Sequence, residues 1–144
     1  MTIGLAVSST LILPTMLCEQ LAAEARAAFP NECCGLIEGV ITPEGWHILA
    51  LHGSKNLASD PARAFLIDPQ MHFELLRALR GTDRAIIGCY HSHPNGRGEP
   101  SARDRDEAVD DRFILIVVAG GAVSAYMFDA GARDFAPLML RPDG

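Results

Sequence analysis

Five side chains carry the chemistry suggested by this sequence: Glu32, His91, His93, Ser101 and Asp104. The last four fall in one short stretch, His91-Ser92-His93-Pro94, six further residues, then Ser101-Ala102-Arg103-Asp104. Two imidazoles and a carboxylate are three protein ligands for zinc, and a catalytic zinc site uses three and leaves the fourth position to water. Such a water needs a carboxylate to take its proton, and Glu32 lies upstream to serve. A zinc-activated hydrolase is the first expectation.

The spacing has a geometric logic. Side chains alternate along a strand, so histidines at i and i+2 share a face with Cα atoms about 6.6 Å apart. Both can lean onto one ion with Zn–N near ~2.0–2.1 Å. Ser92 points the other way, and Pro94 ends the strand because it lacks the N–H a ladder needs. A Gly- and Pro-rich loop then turns the chain so that a helix presents Asp104. On spacing alone, alternatives stay open. Ser-x-x-Asp at a helix start is also a capping box, and Glu38 or Glu99 could stand in place of Glu32.

Those residues need a scaffold. Residues 10–13 read as a short strand, and Pro14-Thr15 opens a helix with Leu17, Leu21, Ala25 and Ala28 on one face, closed by Pro30. Cys33 to Glu38 and Trp46 to Leu51 read as a hairpin about the turn Thr42-Pro43-Glu44-Gly45. Ala62 to Ile67 reads as another strand. Asp68 caps a helix with Pro69 at its first position, His72, Leu75, Leu76 and Leu79 on one face, and Gly81 as its stop. Ala85 to Tyr90 is a strand running into the histidine pair, and Ser101 starts a short polar helix to about Asp110. Phe113 to Ala119 and Ala122 to Phe128 form a hairpin over Gly120-Gly121, before a last strand from Phe135 to Leu140. The fold class is α/β, one domain over 1–144, with a mixed, mostly antiparallel sheet flanked by helices.

Composition excludes several functions. The chain of 144 residues has a net charge of −6 and no stretch dense in Lys and Arg, so a nucleic-acid partner is not expected. Its longest apolar run, Phe113 to Val118 and its short continuation, is far below the roughly 18 residues of a membrane span. Residues 1–13 lack the positive head of a secretory signal, the first cation being Arg26, so a cytoplasmic protein is expected. Cys18, Cys33, Cys34 and Cys89 contain no CxxC pair and read as reduced, buried thiols. His47, His52 and His72 share no metal-ligand spacing and read as structural or solvated.

Taken together, these residues resemble the JAMM metalloproteases, the JAB1/MPN+ domain family. That motif is a Glu, then His-x-His, ten residues and an Asp, with a Ser three before the Asp. Here His91-Ser92-His93 precedes Asp104 by ten residues and Ser101 falls on the serine position. Asn31-Glu32-Cys33-Cys34-Gly35-Leu36-Ile37 looks like the glutamate segment of short prokaryotic members. The resemblance implies an MPN fold with a cytidine-deaminase-like core. It also implies zinc held by His91, His93 and Asp104, Glu32 as general acid and base, and Ser101 bonding the oxygen of the tetrahedral intermediate.

The implied substrates are ubiquitin-like or β-grasp sulfur-carrier proteins, cut after a C-terminal Gly-Gly tail. The tail would lie extended along a sheet edge, near the chain before Ala62 to Ile67. Because the chain after Asp104 reaches the next strand within about eight residues, there is little room for the second insertion of the deubiquitinating members. A minimal bacterial-type enzyme is expected. A zinc deaminase is disfavoured because its H-x-E…P-C-x-x-C signature is missing, and a thermolysin-like enzyme because H-E-x-x-H is missing. A catalytically silent MPN scaffold that binds partners is the remaining alternative, and the intact ligand set argues against it.

Overall fold

The computed structural model describes residues 10–142. The readings of residues 1–9 as free of a signal head, and of the extreme ends of the 1–144 domain, lie outside the described residues. The elements run β1 (Thr10–Ile12), α1 (Thr15–Ala28), β2 (Cys34–Thr42), β3 (Gly45–Ser54) and α2 (Pro69–Leu79). They continue with β4 (Ala85–Ser92), α3 (Ala102–Glu107), β5 (Ile114–Ala119), β6 (Ala122–Asp129) and β7 (Asp134–Arg141).

The seven strands close into a barrel in the order β1-β3-β2-β4-β5-β6-β7. Four pairings are antiparallel, and β4–β5, β1–β3 and β1–β7 are parallel. The α/β class and the mixed sheet agree with the sequence reading. Closure was not foreseen: the three residues of β1 bridge Trp46 and His47 of β3 to Met139, Leu140 and Arg141 of β7.

Strand β5 explains its own continuous apolar run, because all six of its residues are buried. Ile114, Ile116 and Val118 face the main core with Leu11, Leu21, Ile37 and Tyr90. Leu115, Val117 and Ala119 face the opposite side against Cys89, Tyr126 and Phe135. A strand covered on both faces has no polar positions to alternate. Gly88 lets its neighbour come close, since a Cβ there would collide with the Ile114 carbonyl oxygen. The β5–β6 turn places Gly120 and Gly121 at φ of 57° and 81°, the left-handed pair a two-residue hairpin demands.

The helices hold to their sequence signals. Pro14 precedes α1 and its carbonyl accepts from the N–H groups of Leu17 and Cys18. Leu21 is the fully buried anchor of α1. Asp68 caps α2 by accepting from the Gln70 N–H at 3.0 Å, with Pro69 at the first helical position.

Several boundaries differ from the sequence reading. β2 and β3 run to Thr42 and from Gly45, because Thr42 Oγ accepts from the Glu44 N–H and donates to the Gly45 carbonyl, tightening the turn. α3 ends at Glu107 rather than near Asp110. It buries no residue, and Arg133 donates to the carbonyls of Arg105 and Ala108, which stops it there.

The largest correction concerns Ala62 to Ile67, which is not a strand. Only Ile67 forms a bridge, to Asn56. The Asn56 side chain takes the ladder's partners for itself. Its Nδ2 donates to the carbonyls of Glu32, Pro61 and Ala64, and its Oδ1 accepts from the N–H groups of Ala58 and Leu66. The segment is therefore a loop pinned from inside, not a sheet edge.

Candidate metal and catalytic centre

The register between β2 and β4 assembles the site. Cys34 pairs antiparallel with His91. The ladder continues one step further, with the Ser92 N–H donating to the Cys33 carbonyl at 3.1 Å. Just beyond the paired residues come Glu32 and His93, which line one cleft, as side chains on the same face of neighbouring strands do. Two groups 61 positions apart in sequence thus meet because of a strand pairing. Ser92, on the other face, accepts from the Cys33 N–H at 2.8 Å and locks the joint.

His91, His93 and Asp104 converge on one point. Their ligand atoms lie within 4.8 Å of one another. The two Nε2 atoms are 2.9 Å apart, and Asp104 Oδ2 is 3.3 Å from His91 Nε2 and 3.4 Å from His93 Nε2. A tetrahedron of ligands at ~2.0–2.1 Å from zinc has edges of about 3.3–3.4 Å, so two of the three edges match that shape.

The donor chemistry fits as well. His93 Nδ1 sits 2.7 Å from the Arg97 carbonyl, which can only accept, so this nitrogen carries the proton. In its neutral form, the one a metal would bind, His93 therefore presents a lone pair on Nε2 toward the other two groups, whereas without a metal that nitrogen bonds Asp104 only when it too carries a proton. A second partner that fixes the tautomer of a histidine in this way is the usual companion of a metal ligand. His91 is fully buried, and Phe65 stacks on its ring at 4.3 Å between centroids. Its Nδ1 has no partner among the described residues.

Asp104 does two jobs with one oxygen. Its Oδ2 accepts from the Ser101 N–H at 2.8 Å, and the Ser101 Oγ accepts from the Asp104 N–H at 3.0 Å. This is a capping box on α3, so the cap and the metal-facing arrangement coexist. The choice left open by spacing was not a choice. Because Ser101 Oγ accepts from the backbone, its own hydrogen stays available to the cleft it lines.

That cleft has a volume of about 1020 Å³ and is lined by Glu32, Ala62 to Phe65, His93, Ser101 and Asp104 among others. Glu32 is only 6% exposed. Its peptide is fixed on both sides, the N–H donating to the Pro61 carbonyl and the C=O accepting from Asn56. Glu38 lies elsewhere, buried in a cluster with His52 at 2.8 Å and Arg84 at 2.7 Å. Glu99 also lines the cleft, but it is exposed.

Electrostatics separate the groups. Burial raises Glu32 to about 7, with the nearby Asp104 adding to the rise and His93 and Arg103 opposing it. Burial also acts to raise Asp104, but hydrogen bonds from His91 and His93 overcome it and hold the carboxyl far below its usual range. His91 is lowered by burial despite Asp104. His93 is raised, because its bonds to Asp104 and the Arg97 carbonyl outweigh its burial. One carboxylate thus stays ionised while another sits near neutrality, the separation that acid–base sites use.

The cysteines and remaining histidines stay outside this arrangement. All four thiols are free, Cys33 and Cys34 fully buried and Cys18 and Cys89 partly so. His52 joins the Glu38 cluster and His47 lies 3.5 Å from Glu44. Sequence reasoning missed Asn56, Phe65 and the Arg97 carbonyl. Asn56 carries no periodic signal, and the other two act through ring stacking and a backbone atom.

The chain matches the prokaryotic homologs of the JAB domain over residues 14–130. It is 34% identical to a probable TtuB-protein conjugate cleaving protease of Thermus thermophilus, over 84% of this chain and 78% of that one. It is 31% identical to a desampylase of Haloferax volcanii, over 61% of this chain and 62% of that one, less than two thirds of that relative's length. A CysO-cysteine peptidase of Mycobacterium tuberculosis is 27% identical over 74% of this chain and 72% of its own. A solution structure from Desulfitobacterium hafniense shares the fold at a TM-score of 0.80 and 22% identity, covering 92% of each chain.

Proposed function

The chain belongs to the prokaryotic JAB/MPN family, and from that membership we propose that it is a zinc-dependent peptidase of the JAMM type. It would hydrolyse the bond after the C-terminal Gly-Gly of a ubiquitin-like or β-grasp sulfur-carrier protein, in the cytoplasm, with 1–144 acting as one MPN domain on a cytidine-deaminase-like core. Relatives whose names record cleavage of TtuB conjugates and CysO-cysteine support the substrate class. The observation that carries the reading is the convergence of His91, His93 and Asp104 beside the buried carboxyl of Glu32.

His91 Nε2, His93 Nε2 and Asp104 Oδ2 would hold the ion. Zinc bound there would lower the pKa of water to about 7 and polarise the scissile carbonyl. The remaining steps belong to the protein. Glu32, with a pKa near neutrality, takes one proton from the attacking water as the new C–O bond forms. It returns that proton to the amine as the C–N bond breaks, and the second water proton, lost as the new carboxyl ionises, converts the amine to an ammonium beside a Gly carboxylate. A carboxyl that must both accept and release a proton works best when its pKa lies near the working pH. Ser101 Oγ donates to the oxygen of the tetrahedral adduct, and Phe65 keeps water from the far side of His91.

A fusion of a β-grasp protein to a reporter through Gly-Gly tests the reading. Wild type should cleave it and a chelator should stop it. Glu32→Gln should keep its metal and lose about 10²–10⁴ in rate, the range for general acid–base catalysis. Near-normal turnover by Glu32→Gln would remove Glu32 from the chemistry. Bound zinc with no cleavage of any such fusion would favour the silent scaffold.

A further inference from the structure

The cleft is cationic in an acidic protein. The chain carries 11 arginines and one lysine against 18 acids, yet Arg63, Arg97, Arg103 and Arg105 all line this one cavity. Two of the four are already engaged. Arg103 pairs with Glu107 at 3.2 Å, and Arg105 bonds the Pro100 carbonyl and lies 3.8 Å from Asp134. Among the described residues, the guanidinium groups of Arg63 and Arg97 form neither an ion pair nor a hydrogen bond.

Both free arginines rise from backbone that is held in place. The Arg97 carbonyl accepts from His93 Nδ1 and its N–H donates to Asn95 Oδ1, so its Cα is tied to the metal-facing ring. Arg63 lines the same cavity from the loop between Pro61 and Ala64, whose carbonyls both accept from Asn56, and its own N–H donates to the Asp60 carbonyl. Of the acids lining the cleft, Asp104 is committed to the histidines and Glu32 is buried. Only exposed Glu99 is left to offset the guanidinium charge. A cavity of about 1020 Å³ accommodates a short peptide segment rather than a protein face.

We propose that Arg63 and Arg97 form a subsite for a carboxylate carried on the leaving segment, just beyond the scissile bond. The inference rests on the peptidase reading and narrows its substrate class. Guanidinium groups bind carboxylates through paired, charge-assisted bonds. The carboxylate has two possible sources, the free C-terminus of a short adduct or an acidic side chain following the diglycine. A lysine isopeptide in a neutral surrounding offers neither.

Three synthetic peptides separate these cases: one ending Gly-Gly-Ala with a free carboxylate, the same peptide as its C-terminal amide, and one ending Gly-Gly-Ala-Glu as an amide. Calorimetric titration into full-length Glu32→Gln protein reads affinity without turnover. At least one acid should bind about tenfold or more tightly than the neutral amide, as charge-assisted pairs allow. The advantage should shrink in 0.5 M salt and vanish in the Arg63→Gln/Arg97→Gln variant, whose fold is checked by its melting curve. Lysine at both positions should restore part of it. Preference for the free C-terminus alone points to a short adduct, and preference for both acids points to an acidic sequence. Equal affinity for acid and amide, or a preference that survives the double glutamine variant, overturns the subsite. If wild type cleaves none of the peptides nor a β-grasp fusion, the peptidase reading falls, while the affinity difference still decides the subsite.

Discussion

The side-chain amide of Asn56 donates to the backbone carbonyl of Glu32 at 3.0 Å. Through the same group it gathers Pro61 and Ala64, the loop that walls the cleft. One amide therefore fixes both the candidate base and the surface facing it. Asn56→Ala should cost about 1–3 kcal/mol, the penalty for leaving buried partners unmet. Turnover should fall while zinc stoichiometry holds, because no ligand moves. Denaturant melts, metal analysis and kcat on one preparation check this, and unchanged kcat would limit Asn56 to a purely structural role.

The pKa of Glu32 makes a stability prediction for the metal-free protein. Folding raises this carboxyl from 4.5 to about 7, so the native state binds its proton more tightly than the unfolded chain does. That stabilisation is complete below pH 4.5 and is lost as pH rises through about 7, amounting to up to about 3 kcal/mol. Glu32→Gln cannot titrate and should flatten this component. Urea midpoints from pH 4.5 to 8 measure it, and identical slopes in wild type and variant would contradict it.

Much of the site was legible in the sequence, because short-range spacing encodes it. His91 and His93 share a face by strand alternation, and the Ser101–Asp104 pair is local to one helix turn. Glu32 was not separable from Glu38 or Glu99 by spacing. Its place depends on the register of β2 against β4, a contact across some sixty residues that no local pattern carries. The strand expected at Ala62–Ile67 failed for a related reason. Its run of apolar residues is real, but Asn56 takes the backbone partners that a strand would have used. Barrel closure rests on a three-residue strand that the sequence does suggest, but so short a segment carries no sign of the two strands it bridges.

The thiols provide a separate check. Burial pushes Cys34 and Cys89 up to about 12, so neither holds appreciable thiolate at neutral pH, and thiolate is the reactive form. Iodoacetamide at pH 7.5 should leave both unmodified in the folded protein and label both in urea, as read by peptide mass spectrometry. Rapid native labelling of either would show that its surroundings are more open than described.

The central claim is that His91, His93 and Asp104 hold one zinc ion. Metal content after exhaustive dialysis against trace zinc tests it most directly. The account predicts one zinc per chain in wild type and almost none in His91→Ala or Asp104→Ala proteins that remain folded. A wild-type chain that leaves dialysis without metal, or variants that keep their zinc, would contradict it.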